Sequence, residues 1–384
     1  MRFLHGSSRC WKAGLEMRAD QLKVPADLAG FLGNRHVVQI LGRAIAQGRL
    51  PHALIFAGPA GVGKCTLAIL LAQRLNCLSP EPRGACGLCA VCRKTLAVLQ
   101  ARYLTCLSPK GEIPCGGCMN CRVIADQHPD VRLIRIPPDK TTISIEQVRE
   151  MISEISYQPF EARLRVVILD PAEQMDPKAH NSLLKTLEEP ASRTAIILVT
   201  TKPHVLLQTI RSRSRTLHFG GIPEEQIAEY LVTREGRPRE EAVLAAAFSH
   251  GSLSTAIAFD TETYREIRRT ALSFVASLLE RGSFKDASGI AAALLKDKKD
   301  KDTFGVWLDA VDSLLQDVYF LGVAPQKLRH RDLREELSGL AAASGRRQVV
   351  SAIERLKKLR LALQRNVNRQ IALEAVFLEE IGPR

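Results

Sequence analysis

Between Ala53 and Leu70 the chain reads ALIFAGPAGVGKCTLAIL, and this stretch restricts the possible folds more than any other. Ala53-Leu-Ile-Phe-Ala57 is an apolar run of a length that suits a buried strand. The turn Gly58-Pro-Ala-Gly-Val-Gly63 follows without a break, and Lys64 opens a run of helix formers. Strand, glycine-rich loop and helix in that order are the context of a P-loop. Gly58, Gly61 and Gly63 let successive backbone N–H groups face one concavity, and the helix N-terminus adds positive potential. The result is a seat for the phosphates of ATP, with Lys64 reaching the terminal ones. An ordinary strand-to-helix turn would explain neither the glycine spacing nor the lysine.

The position after the lysine is normally Ser or Thr, whose hydroxyl helps to hold Mg²⁺. Here it is Cys65. A thiol is a soft ligand and suits a hard cation poorly. Thr66 stands next, but one helical residue turns its side chain by about 100°. The loop is therefore expected to seat a nucleotide and to hold its metal badly.

A second feature is a doubled cysteine pattern. Eight of the ten cysteines fall between Cys77 and Cys121. Cys77, Cys86, Cys89 and Cys92 are spaced C-x8-C-x2-C-x2-C, and Cys106, Cys115, Cys118 and Cys121 repeat that spacing unchanged. Asn76-Cys-Leu-Ser-Pro80 and Thr105-Cys-Leu-Ser-Pro109 echo each other as well. Four thiolates so spaced can close a tetrahedral Zn²⁺ site, giving one or two structural zinc ions, with ligand exchange between the two sets as an alternative. Unligated thiols or a redox pair would have to account for the same spacing twice. Four thiolates also leave no open position for catalysis.

A chain of 384 residues is expected to form two or three domains. Apolar residues make up 46% and no apolar stretch is long enough to span a bilayer, so a cytoplasmic protein without membrane contact is expected. Met1 to Asp20 is basic without a continuous apolar run, which does not suit an export signal. The net charge of +13 suggests a polyanionic partner such as DNA or RNA, with general solubility charge as the alternative. The basic clusters at Lys296–Lys301 and Arg355–Arg360 have no interleaved aromatics, so any contact would be to backbone phosphates.

Along the chain, helical patterns at Phe31–Gly48, Ser144–Ile155 and Ala179–Glu189 alternate with strand patterns at Ala53–Ala57, Val131–Ile136, Arg165–Asp170 and Ala195–Val199. Apolar strands alternating with helices predict a mostly parallel sheet covered on both faces. From Pro223 onward the patterns are helical: Glu224–Thr233, Arg239–Phe248, the stretch after Ser252, and Thr261 to the C-terminus with a long segment at Arg347–Ile381.

Hydrolysis at a P-loop needs a carboxylate at a strand end for the metal and usually a second one to polarise water. Asp170 can be the first, but the neighbouring position is Pro171, and Glu173 is expected to point elsewhere. Thr209-Ile-Arg-Ser-Arg-Ser214 follows the last apolar strand. An arginine displayed there can enter a neighbour's nucleotide site, or simply be a solvated loop residue.

Gly48-Arg-Leu-Pro-His-Ala53, the loop Gly58–Lys64, Asn181-Ser-Leu-Leu-Lys-Thr-Leu-Glu-Glu-Pro190, Thr209-Ile-Arg-Ser-Arg213 and Asn366-Val-Asn368 together resemble the bacterial sliding-clamp loader subunits of DNA polymerase III. So does a cysteine set inserted after the P-loop helix, although the family usually carries a single copy. The resemblance covers roughly residues 31–377 and implies an α/β AAA+ P-loop domain with a five-stranded sheet at 29–220, carrying the cysteine insertion at 77–121. A helical lid at 221–258 and an all-α collar at 259–384 would follow, behind a disordered lead-in at 1–28.

By the same resemblance Ser212 and Arg213 match the Ser-Arg-Cys motif, with Ser214 in place of its cysteine, and Arg213 is an arginine finger acting in trans. Thr200 and Thr201 match the first sensor. Ser254, in Gly251-Ser-Leu-Ser254, stands where an ATP-hydrolysing subunit carries arginine. Three departures at the chain's own site beside a retained Arg213 point to the delta-prime type of subunit. That type is a stator in a hetero-pentamer with gamma/tau and delta, which places the sliding clamp on primed DNA. The alternatives are a gamma/tau-type motor subunit tolerating Cys65 and Pro171, and an independent zinc-dependent DNA-binding protein with a relic P-loop.

Overall fold

The computed structural model describes residues 28, 30–81, 84–101, 127–137, 140–279 and 301–364. Cys106, Cys115, Cys118 and Cys121, most of the lead-in, residues 296–300, and Asn366-Val-Asn368 lie outside the described residues. Two units divide between Ile257 and Ala258.

The first unit contains α1 (Arg35–Ala46), β1 (Ala53–Ala57), α2 (Lys64–Asn76), α3 (Ala90–Ala101), β2 (Val131–Ile134), α4 (Ile145–Ile155), β3 (Arg165–Leu169), α5 (Pro177–Glu188), β4 (Thr194–Thr200), α6 (Gln208–Ser212) and β5 (Arg215–His218). The strands form one sheet in the order β2-β3-β4-β1-β5, and every pairing is parallel. Every residue of β1, β3 and β4 is buried, as strands covered on both faces must be. The two-residue period divides them between two cores. Leu54 and Phe56 join Leu67, Leu70 and Leu71 of α2 on one face. Ala53, Ile55 and Ala57 join Val148 and Met151 of α4 and Leu183 and Leu187 of α5 on the other.

Element ends follow local chemistry. Ser144 and Gln147 form a reciprocal capping box at the start of α4. Pro177 begins α5 at a position where its missing N–H costs nothing, two residues earlier than the apolar pattern suggests. The same unit continues through α7 (Glu224–Thr233), α8 (Arg239–Phe248) and α9 (Leu253–Ile257). Among the described residues the second unit is helical, with α10 (Thr261–Leu279), α11 (Lys301–Leu321), α12 (Arg334–Ala343) and α13 (Arg346–Gln364). Phe274 meets Trp307 edge-on at 4.8 Å in its core. One chain of buried polar groups is paired there: Tyr264 Oη lies 3.1 Å from His330 Nε2, and His330 Nδ1 lies 2.8 Å from Asp317 Oδ2. Among the described residues no helix is long and apolar enough to cross a membrane.

Candidate functional site

In an open parallel sheet, ligands gather at the strand C-termini where the strand order reverses. Here that point is β1, which lies between β4 and β5. The loop Gly58–Gly63 leaves its C-terminal end and runs into α2. Gly61 and Gly63 have φ of +73° and +88°, a region that L side chains rarely adopt. Space reinforces the requirement. A Cβ on Gly61 would collide with the hydroxyls of Ser252 and Ser254, and one on Gly63 would come within 2.8 Å of the Phe31 ring. The loop is thus closed over by the helical segment: Ser254 N–H donates to the Gly61 carbonyl at 3.3 Å, and Ser252 Oγ lies 3.3 Å from Ser254 Oγ. The ammonium of Lys64 donates to the carbonyls of Gly58 at 2.8 Å and Pro59 at 2.5 Å, so the loop satisfies its own lysine.

Cys65 is only 3% exposed and belongs to the core cluster with Val62 and Leu67. Its neighbour Thr66 is half-buried. Asp170 follows β3, and Thr200 and Thr201 end and follow β4, so parallel pairing brings them to the same edge of the sheet as the loop. Gly58 N–H donates to the Thr200 carbonyl at 3.2 Å. Pro171 follows Asp170 through a cis peptide bond. Glu173 is not idle: its Oε1 accepts from Thr201 Oγ1 at 2.6 Å and from Thr201 N–H at 3.1 Å. That contact was invisible in the sequence, where only the wrong spacing from Asp170 could be seen.

Ser212 and Arg213 stand elsewhere. β5 pairs with β1 from Arg215 opposite Leu54 to His218 opposite Ala57. Arg213 therefore lies at the end of the sheet where the strands begin, roughly 13 Å along the strand direction from the loop where β1 finishes. Its side chain is 36% exposed and pairs with Glu188, at 2.8 Å, across the end of α5. Ser212 Oγ donates to the Thr209 carbonyl at 3.0 Å.

The first cysteine set converges. The sulfurs of Cys77, Cys86, Cys89 and Cys92 all lie within 4.8 Å of one another. Cys86 Sγ and Cys92 Sγ are 3.9 Å apart. A tetrahedral site with metal–sulfur bonds of about 2.3 Å puts sulfurs about 3.8 Å apart, so this set can hold a metal ion. Backbone N–H groups already face the sulfurs, Cys86 N to Cys77 Sγ at 3.2 Å and Cys89 N to Cys86 Sγ at 3.4 Å. Hydrogen bonds from the Cys89 and Leu88 backbone pull the Cys86 thiol down to about 6, whereas burial pushes that of Cys92 up. A bound cation would favour the thiolate at all four. Four soft sulfurs and no carboxylate suit zinc rather than magnesium or calcium.

Comparison with known proteins supplies relatives of two kinds. A family model described as DNA polymerase III, delta subunit, matches residues 33–100 and 93–223. DNA polymerase III subunit delta' of Bacillus subtilis is 28% identical over 348 residues, covering 89% of this chain and 94% of that protein. DNA polymerase III subunit tau/gamma of Haemophilus influenzae is 27% identical over 376 residues, covering 93% of this chain but only 50% of that protein. DNA polymerase III subunit tau of Escherichia coli is 33% identical over 239 residues, covering 61% of this chain and 32% of that protein. The chain thus spans half or less of these tau relatives and nearly all of the delta' one.

Proposed function

The chain belongs to the clamp-loader subunits of DNA polymerase III, in the AAA+ family, and we propose that within this family it is a delta-prime-type stator. In this reading it assembles with gamma/tau-type and delta-type subunits in a cytoplasmic hetero-pentamer. It lends Arg213 to a neighbour's ATP and contributes little hydrolysis of its own. The complex then opens a sliding clamp and sets it on primed DNA.

The observation that carries the reading is the register of β5 on β1, which separates Arg213 from the P-loop of its own subunit by the length of the sheet. A guanidinium so placed is remote from its own loop and open to solvent. Three features support weak turnover at the chain's own loop. Cys65 turns its thiol into the core, Pro171 stands where a water-polarising carboxylate is expected, and Ser254 offers a hydroxyl where arginine would help hold phosphate. When nucleotide binds, Gly58–Gly63 and Lys64 would cradle the phosphates, with Asp170 and Thr201 at the strand ends beside them. Lys64 would first have to leave the Gly58 and Pro59 carbonyls.

Zinc, where bound, would be held by Cys77, Cys86, Cys89 and Cys92 as a structural ion. Its part is to fix the segment between α2 and α3.

The motor reading has one observation in its favour. Glu173 keeps a carboxylate on Thr201, where water could be oriented despite Pro171. The two readings separate in one assay of the complex reconstituted with its partner subunits. Arg213→Ala should lower ATP turnover by about 10³-fold at the affected site while leaving assembly intact. Brisk DNA-stimulated hydrolysis by this chain alone, abolished by Glu173→Gln, would instead make it a motor.

A further inference from the structure

Arg213 is held by anchors on two elements. Its Nη2 lies 2.8 Å from Glu188 Oε1 at the end of α5, and its Nη1 donates to the Thr209 carbonyl of α6 at 3.1 Å and reaches Ser212 Oγ at 3.4 Å. Building on the trans role of Arg213 proposed above, we propose that Glu188 is a positioning residue: its carboxylate sets the Arg213 guanidinium in the pose that meets a neighbouring subunit's phosphates.

Glu188 does not serve its own helix. A carboxylate at a helix C-terminus opposes the helix dipole. A half-exposed ion pair also adds little to folding. What Glu188 does possess is a fixed backbone position. Leu183 and Leu187 anchor α5 in the core, so its last residue is a fixed point. An arginine side chain otherwise has considerable rotamer freedom, and ordering it only when the phosphoryl group transfers raises the barrier. Glu188 and the Thr209 carbonyl order it beforehand. Two or three of the five guanidinium N–H groups are taken by these anchors, leaving others for phosphate oxygens. With side-chain exposures of 36% for Arg213 and 50% for Glu188, water screens the repulsion between carboxylate and phosphate.

The test is steady-state ATP hydrolysis by the reconstituted complex carrying wild-type chain, Arg213→Ala, Glu188→Ala or Glu188→Gln. Glu188→Ala should lower kcat on the order of two- to tenfold, the equivalent of leaving one long side chain unordered, with KM nearly unchanged. Glu188→Gln should recover most of the rate, because the amide oxygen still accepts from Nη2. Complex assembly and melting temperature should be the same for both Glu188 variants. A wild-type rate in Glu188→Ala beside a fall in Arg213→Ala would overturn the positioning role alone. So would a Glu188→Gln rate as low as that of Glu188→Ala. An unchanged rate in Arg213→Ala would remove the trans role itself, and the Glu188 proposal with it.

Discussion

Gly61 shows how much one position fixes. Its positive φ disfavours any Cβ, and the Ser252 and Ser254 hydroxyls above it would have to move to admit one. Gly61→Ala should lower unfolding free energy by about 1–3 kcal/mol in urea titration, the typical cost of a strained backbone residue. Equal stability would mean that the helical segment does not close over the loop as described. Asp130 is a second case. It is fully buried, pairs with Arg165 at 2.9 Å, and accepts N–H bonds from Phe160, Glu161 and Ala162 at 2.7–2.9 Å. Burial opposes its charge, but those N–H groups and the guanidinium outweigh it and hold the carboxyl below the usual range. A depressed native pKa means that the stabilisation is complete above the unfolded value of about 4 and is lost as pH falls through the native value. Asp130→Ala should cost about 3–5 kcal/mol at pH 7, because it strands the Arg165 charge, and clearly less at pH 2. The same loss at both pH values would contradict the pairing.

At the scale of elements, the cysteine segment from Cys77 to Cys92 has, among the described residues, a small apolar cluster of its own: Cys77, Ala85 and Cys92, with Cys86 and Cys89 packed against them. Its order is expected to depend on metal. Cys89→Ser should remove one zinc per chain by elemental analysis and expose the amides of residues 77–92 to hydrogen exchange. Unchanged protection would make the sulfur cluster incidental. About two zinc ions in the wild-type chain would mean that the second cysteine set is filled as well, at one metal per four thiolates. How much of the fold could be read from sequence follows from burial. β1, β3 and β4 are apolar at nearly every position and were legible. β5 was not: among Arg215–His218 only Leu217 is buried, so an edge strand with polar ends leaves no periodic signal. The P-loop was legible because its chemistry is local in sequence. The Glu188–Arg213 pair, the Glu173–Thr201 contact and the closure of Gly61 by Ser252 and Ser254 were not, since each joins segments that only the folded sheet brings together.

At the scale of the whole molecule, the candidate residues divide between the two ends of the sheet. One end carries the P-loop with Asp170 and Thr201, and the other carries Arg213 with Glu188. A ring of such subunits can join one end of each to the opposite end of the next. On the stator reading proposed above, Cys65, Pro171 and Ser254 weaken hydrolysis at the P-loop end, while Arg213 at the other end serves a neighbour. The most direct measurement compares Lys64→Met and Arg213→Ala, each placed in this chain alone, by steady-state ATP hydrolysis of the reconstituted complex. The stator account predicts a rate close to wild type for Lys64→Met and a marked fall for Arg213→Ala. A marked fall for Lys64→Met with no change for Arg213→Ala would contradict it.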